Sequence, residues 1–373
     1  MKNVYLDNAA TTPIRPEVIE EMVRVMQTDF GNPSSSHAIG RSSKGIIETS
    51  RKNIAKLLHC QSSEIIFTSS ATEASNWVLR SAIVDHKVQR IITSKVEHHA
   101  TLYTVQALQE QHNIEVEYVK ILPDGSLDYA QLEELVAKEA KTLVSLLHVN
   151  NETGVIHDLE RISALCIQHH ALFHCDTVQS IGKMAFNLSE LPIDFLVASA
   201  HKFHGPKGIG FCFVRKNIVL QPMLFGGEQE KGWRAGTEAV HQIAGMAKAL
   251  ELSYQNLEAE QASITALKTY CQKEILKAFP EAKVNGSTTF YNILNIQLPL
   301  APEKSAMILF LLDLKGIAVS RGSACQSGSP KPSHVLTEML TPEELEKPSL
   351  RISFSHYNTQ EEIDYLVETL KGV

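Results

Sequence analysis

The sequence predicts an α/β fold, a mostly parallel sheet covered by helices on both faces. Three observations carry this prediction. Apolar runs of strand length alternate with helical patterns from about residue 45 to residue 215. Several of those runs are apolar at consecutive positions, as strands buried on both faces are. The stretches between them place apolar residues on one helical stripe. Strands that alternate with helices pair in parallel, because each crossover needs a helix to return.

Gly40 to Cys60 is the first clear helix, with Ile46, Ile47, Ile54, Leu57 and Leu58 at helical spacing. Six strands follow, in the segments EIIFTSS, RIITSKV, TLVSLLHV, ALFHCD, DFLVASA and GIGFCFV. Helical stretches such as Tyr129 to Ala140 and Leu159 to His170 lie between them. A long helical region, Val240 to Phe279, leads to a second layer. There the pattern gives a strand near Asn292 to Gln297, a helix near Ser305 to Lys315 and a strand near Leu350 to Phe354. The last helix begins at NTQEEIDYLV, where Thr359 and Glu362 have the spacing of a capping box. No internal repeat or low-complexity segment is present, and SRGSACQSGSPKPS is the most loop-like stretch.

The bulk numbers narrow the function classes. A chain of 373 residues is long enough for two domains. Its 43% hydrophobic and 21% charged residues are ordinary for a globular protein. A net charge of −7 argues against general nucleic-acid binding or a membrane-surface role. The start, MKNVYLDNAATTP, has no apolar signal-peptide core, and no run reaches the ~18 apolar residues that span a bilayer. The six cysteines have no CxxC or zinc-like spacing, so no metal site is expected. Reduced thiols in a cytoplasmic protein are the expectation.

In parallel sheets the ligand lies beyond the carboxyl ends of the strands. The residues just after each apolar run are therefore the ones to read. After EIIFTSS, Ala71 and Thr72 open a helix whose N–H groups suit a phosphate, or form a simple cap. After RIITSKV come His98 and His99. After TLVSLLHV come Asn150, Asn151 and Glu152, which on their own read as a turn. After ALFHC comes Asp176, a carboxylate ending a buried strand and so in need of a partner, with Gln179 three residues on. After DFLVASA comes Lys202, in HKFHGPKG, without the GxxxxGK[ST] of a P-loop. A phosphate seat, a buried Asp, a His and a Lys at one edge suit pyridoxal phosphate. The Lys amine condenses with its aldehyde, and the Asp keeps the ring nitrogen protonated.

Taken in order, the motifs YLDNAATTP, FGNPSSSH, SSATEASN, EHHATL, HVNNETGV, DTVQS, SAHKFHGPKGIG, RAGTEAV, GSACQS and RISFS cover nearly the whole chain. With them the sequence resembles the cysteine desulfurases of the NifS/IscS type, in the class V branch of fold-type I pyridoxal-phosphate enzymes. SAHKxxGPKG together with GSAC is the specific combination. The resemblance implies a large cofactor-binding domain over residues 13–255, with a mostly parallel seven-stranded sheet. It implies a smaller α+β domain from residues 1–12 and 256–373, and a homodimer with shared active sites.

It also implies roles. Lys202 matches the lysine that binds pyridoxal 5′-phosphate covalently and moves protons at the substrate Cα. Asp176 matches the partner of the ring nitrogen and Gln179 that of the phenolic oxygen. His98 matches the histidine stacked on the ring, which also serves as acid or base. Ala71, Thr72, Ser199 and His201 match the phosphate seat, and Thr237 matches a phosphate contact made from the other subunit. Asn151 and Arg351 match the groups on the substrate carboxylate, where a guanidinium can make two parallel bonds. Cys325 matches the nucleophile that takes sulfur from L-cysteine as a persulfide. The sulfur then passes to an acceptor protein, an iron–sulfur scaffold or a thiolation enzyme.

Selenocysteine lyase and other class V enzymes are the alternatives on the same fold, and a non-catalytic desulfurase-like scaffold is the alternative of another class. An aminotransferase has no use for the loop cysteine of GSAC. Two departures stand out. Glu228 replaces a glycine of the relatives' GGGQE, and Ser355 and His356 replace a glycine and an arginine after the RxS segment.

Overall fold

The computed structural model describes residues 3–322 and 332–372. Its strands are β1 (Val4–Tyr5), β2 (Ile65–Thr68), β3 (Arg90–Ser94), β4 (Glu115–Val119), β5 (Thr142–Leu147) and β6 (Leu172–Asp176). Then come β7 (Phe195–Ser199), β8 (Gly210–Val214), β9 (Lys283–Val284), β10 (Ile293–Gln297), β11 (Ile317–Ala318) and β12 (Ser349–Ser353). The helices of the first part are α1 (Pro16–Thr28), α2 (Ala38–Leu57), α3 (Ala71–Val84), α4 (His99–His112), α5 (Tyr129–Val136) and α6 (Leu159–Gln168). Those of the second are α7 (Val240–Gln255), α8 (Leu257–Ala278), α9 (Pro302–Leu314), α10 (His334–Thr337), α11 (Pro342–Leu345) and α12 (Gln360–Lys371).

The main sheet has seven strands in the order β2-β8-β7-β6-β5-β3-β4. Pairing is parallel from β7 through β4. Strand β8 is antiparallel to both β2 and β7, so those two point the same way. Period-two alternation sends successive residues to opposite faces. In β7, Leu196 and Ala198 join the apolar cluster on one face, while Phe195 and Val197 join that on the other. This is why the strands read as unbroken apolar runs. Helices α1, α2 and α7 cover the first face, and α3 and α4 the second.

A second layer holds the antiparallel sheet β12-β10-β9, the parallel pair β1-β11, and an apolar cluster shared with α8, α9 and α12. The N-terminal residues bridge the layers. Asp7 pairs with Ser353 of β12, and the Thr12 amide donates to the His201 carbonyl at 2.9 Å.

Two elements differ from expectation. The helical region from Val240 to Phe279 is two helices, broken at Asn256. The Asn256 side chain donates to the Leu252 carbonyl at 2.9 Å, the local competition that ends helices at Asn. Strand β4 is an edge strand exposed at Glu115, so it lacks the continuous apolar signature. The capping box at Thr359 and Glu362 forms as its spacing indicates. Among the described residues, no helix is long and apolar enough to cross a membrane.

Candidate active site

Six of the seven strands end at one edge, and five of them deliver site residues there. The chain leaves β3 for β4 on one side and returns to β5 on the other. That reversal opens a crevice at the strand ends. His98 follows β3, Asn151 follows β5, Asp176 closes β6, Ser199 closes β7, and Ala71 and Thr72 follow β2. Apart from Thr237 and Cys325, every predicted site residue lines a single cavity of about 240 Å³: Ala71, Thr72, His98, Asn151, Asp176, Gln179, Ser199, His201, Lys202 and Arg351. Thr237 lines a separate groove with Phe30 and Met26. Cys325 lies outside the described residues.

Lys202 follows β7 in a short 3-10 turn. Its Nζ donates to the carbonyls of Ala9 at 2.6 Å and Ala10 at 2.9 Å. Those carbonyls come from the N-terminal bridge, so the two layers meet at this amine. Asp176 is buried, and its Oδ1 accepts from the Val178 amide at 3.0 Å. Burial raises its carboxyl, against the lowering effects of that amide and of Lys202. A cationic N–H donor in the cavity would restore its charge.

His98 caps α4, its Nδ1 accepting from the Ala100 amide at 3.1 Å. That bond uses the Nδ1 lone pair and leaves the ring proton on Nε2. Burial first, then Lys202, lowers its pKa to about 4, so the ring is neutral near pH 7. His98 thus presents an uncharged ring face and one donor. His99 turns away and stacks on Tyr103, with centroids 4.7 Å apart.

At α3 the Ala71 amide donates to Ser199 Oγ at 2.8 Å, fixing the helix start against the end of β7. Ser70 caps the helix through the Glu73 amide. Free helix-start N–H groups and the helix dipole make this corner a seat for an anion. His201 stands beside it, its Nδ1 3.1 Å from Thr11 Oγ1. Burial, with Lys202 second, holds that imidazole neutral, at about 4.

Arg351 reaches the cavity from β12 in the second layer. Its Nη1 donates to the Asn151 carbonyl at 2.9 Å, and its Nη2 pairs with Asp7 at 2.7 Å. Its buried Nε has no partner among the described residues. A guanidinium at 1% exposure with an unmet donor suits an anionic ligand. The sequence pattern gives no chemical role to Asp7, Ala9 or Ala10. Their one signal is the motif YLDNAATTP that contains them.

The Aminotransferase class-V family model matches residues 4–366. The chain belongs to that family. Within it, the chain is 40% identical to "Cysteine desulfurase IscS" of Dictyoglomus turgidum, over all of this chain and 94% of that protein. It is also 40% identical to the Mannheimia succiniciproducens protein of the same name, over 99% of this chain and 92% of that one. Among solved structures it matches a NifS-like protein at 33% identity with a TM-score of 0.91, covering 100% of this chain and 99% of that one. It also matches a structure described as SspA in complex with cysteine, at 30% identity with a TM-score of 0.82, covering 96% of this chain and all of that one. This places the chain among the NifS/IscS-type cysteine desulfurases, and its fold is theirs. The cavity's chemistry fits the cofactor of the resemblance: a buried carboxylate in want of a cationic partner, a helix start for a phosphate, and an amine between them.

Proposed function

We propose that the cavity of Lys202 is where the cysteine desulfurase activity of this chain takes place, with pyridoxal 5′-phosphate as cofactor and L-cysteine as substrate. The observation that carries the proposal is the meeting of Lys202, Asp176, His98 and Arg351 around one cavity, from both layers of the fold. The cofactor, when bound, supplies an electron sink for a carbanion at the substrate Cα. The Lys202 amine is its covalent anchor and the proton carrier at Cα. Asp176 holds the proton on the ring nitrogen, where a charge in a water-poor site has most effect. The His98 ring covers one face of the cofactor. Gln179 serves the phenolic oxygen, and Ala71, Thr72, Ser199 and His201 hold the phosphate. Arg351 and Asn151 orient the substrate carboxylate, which fixes the Cα proton relative to Lys202.

Cys325 takes the sulfur. Its thiolate attacks the substrate sulfur, an S–S bond forms, and the C–S bond breaks. The electron pair stays on the substrate carbon, which gains a proton and becomes the methyl of alanine. The persulfide then serves an acceptor protein, an iron–sulfur scaffold or a thiolation enzyme. Thr237 completes the phosphate seat of a second subunit in a homodimer. The division into domains 13–255 and 1–12 with 256–373 assigns Lys202 to one domain and Arg351 to the other. The free thiols of Cys60, Cys166, Cys175, Cys212 and Cys271 fit a cytoplasmic protein.

The test is mass spectrometry after one equivalent of L-cysteine. One added sulfur, ~32 Da, is expected on the peptide of Cys325, as in the persulfide form of cysteine. Stable sulfur on another cysteine, with Cys325→Ala fully active, overturns the assignment.

A further inference from the structure

Lys183 is buried at 8% exposure, directly behind the cavity, and has no place in the chemistry above. It follows Gly182, whose φ of 75° is left-handed and whose backbone lies against Phe203. A Cβ at position 182 would stand 2.5 Å from that side chain, so the tight turn requires glycine. The turn brings Lys183 back under Gln179. The Lys183 Nζ donates to Gln179 Oε1 at 3.2 Å, and Gln179 Nε2 donates to the Ala9 carbonyl at 3.0 Å. That same carbonyl accepts from Lys202 Nζ at 2.6 Å.

We propose that Lys183 is a positioning residue of this site: its ammonium holds the Gln179 carboxamide oxygen, so the amide turns its N–H groups toward Ala9 and the cavity. The proposal rests on reading the cavity as the pyridoxal-phosphate site. A carboxamide is nearly symmetric in shape, and its two ends exchange donor for acceptor when it flips. An ammonium has three donors and no acceptor, so only the oxygen can face it. The Ala9 carbonyl accepts only, so only the nitrogen can face it. Two one-way partners at opposite ends therefore fix the orientation. The nitrogen end is the useful one, because a phenolate oxygen in the cavity needs a donor.

Burying a lysine here has a cost. Burial first, then Lys202, lowers the Lys183 ammonium to about 7. The titratable groups around it are Lys202, His201 and His204 on the strand-end turn and Glu260 of α8. Arg15 already engages Glu260 at 2.6 Å. A charge kept at such a position is explained by what it orients.

Selective 15N-glutamine labelling reads the amide directly, with or without cofactor. In the wild-type chain at pH 6, Gln179 should give a resolved, slowly exchanging side-chain N–H pair. Lys183→Met, nearly the same shape, should move that pair into the envelope of freely flipping glutamines, and Lys183→Arg, a donor without acceptors, should keep it. The Lys183→Met protein should melt no lower than wild type, since a buried charge is gone. The second reading is retention of pyridoxal phosphate, followed by the visible absorbance left after dialysis. Lys183→Met should lower it about ten-fold, the size of one charge-assisted hydrogen bond, and by less than about two-fold when Gln179 is already alanine. An unmoved Gln179 pair in Lys183→Met, or an equal loss with and without Gln179, overturns the proposal. If the wild-type chain takes up no pyridoxal phosphate, the cofactor reading has failed, and the amide resonances alone decide the role of Lys183.

Discussion

The cavity of Lys202 and the groove of Thr237 are built in opposite ways. The cavity stands on the ends of buried strands, and its polar groups are tied to one another across both layers. Lys202 is held by Ala9 and Ala10, Ser199 by Ala71, and Arg351 by Asp7. The groove lies between the end of α1 and the loop before α7, and exposed Met26 and Phe30 line it beside the polar Asp29, Asn32, Glu238 and His241. Phe30 is 76% exposed and Met26 48%. Yet the loop that carries Thr237 is firmly anchored. Arg51 makes two 2.7 Å bonds to Glu230, whose Oε2 also accepts from the Phe67 amide at 2.8 Å. Arg234 pairs with Glu73 of α3 at 2.9 Å. A loop so anchored, whose threonine lies apart from the Lys202 cavity, is consistent with the proposal that it serves a neighbouring subunit. The cavity concentrates the polar groups, whereas the groove fits the proposal that Thr237 serves a second subunit.

The largest effect should come from the cavity. Lys202→Ala removes the group proposed as both covalent anchor and proton carrier. Alanine formation from cysteine should fall by at least about 10⁴-fold, more than loss of a single acid–base group accounts for. A normal rate would remove Lys202 from the mechanism. Asp176→Asn keeps the shape and loses the charge. Activity should fall about 10²- to 10³-fold, the effect of one well-placed electrostatic group, with the exchange of the Cα hydrogen into deuterated water slowed alongside. Unchanged exchange would show that the carboxylate is a packing residue.

The anchor of the groove should respond in stability first. Arg51 and Glu230 have side chains 3% and 2% exposed. Arg51→Met leaves the Glu230 carboxylate buried and unpaired, which costs about 3–5 kcal/mol in comparable sites. The shift in urea midpoint measures it. A loss under about 1 kcal/mol would mean that water reaches this pair and that the loop is less firmly held than its geometry indicates.

These two regions also differ in how far the sequence betrays them. Parallel strands buried on both faces are apolar without interruption, so their ends stand out. Asp176 and Lys202 stand at such ends, as do His98 and His99, between which only the family resemblance chooses His98. Strand β4 escaped because an edge strand carries Glu115 and Glu117 where a central one carries Val or Ile. The roles of Asp7, Ala9 and Ala10 escaped because they act across some 190 to 340 residues of chain, two of them through backbone carbonyls that any residue has. Lys183 escaped for a related reason. A lysine in a turn reads as a surface charge until the fold buries it. The family resemblance supplied Thr237 and Arg351, for which periodicity offers no signal, and the role of Asn151, which the pattern places only in a turn after β5.

The smallest single effect, and the sharpest test of the comparison, belongs to Thr237. If the groove serves a neighbour, Thr237→Ala removes one of several phosphate contacts, and activity should fall only a few-fold, about the loss of one hydrogen bond. The informative experiment is a mixture. Lys202→Ala protomers have no working amine but an intact Thr237; Thr237→Ala protomers have the reverse. In a shared site, the hybrid dimer has one site with both lesions and one with neither. Random exchange makes about half of the dimers hybrid, each with one whole site, so the mixture gains wild-type sites equal to about a quarter of the total. Retention of pyridoxal phosphate should show the same gain, which separates repair of the seat from a change in turnover. Activity equal to the plain average of the two parents, with subunit exchange proven by mass, would mean that each cavity is complete in its own chain. The groove would then need another explanation, and the anchored loop another purpose.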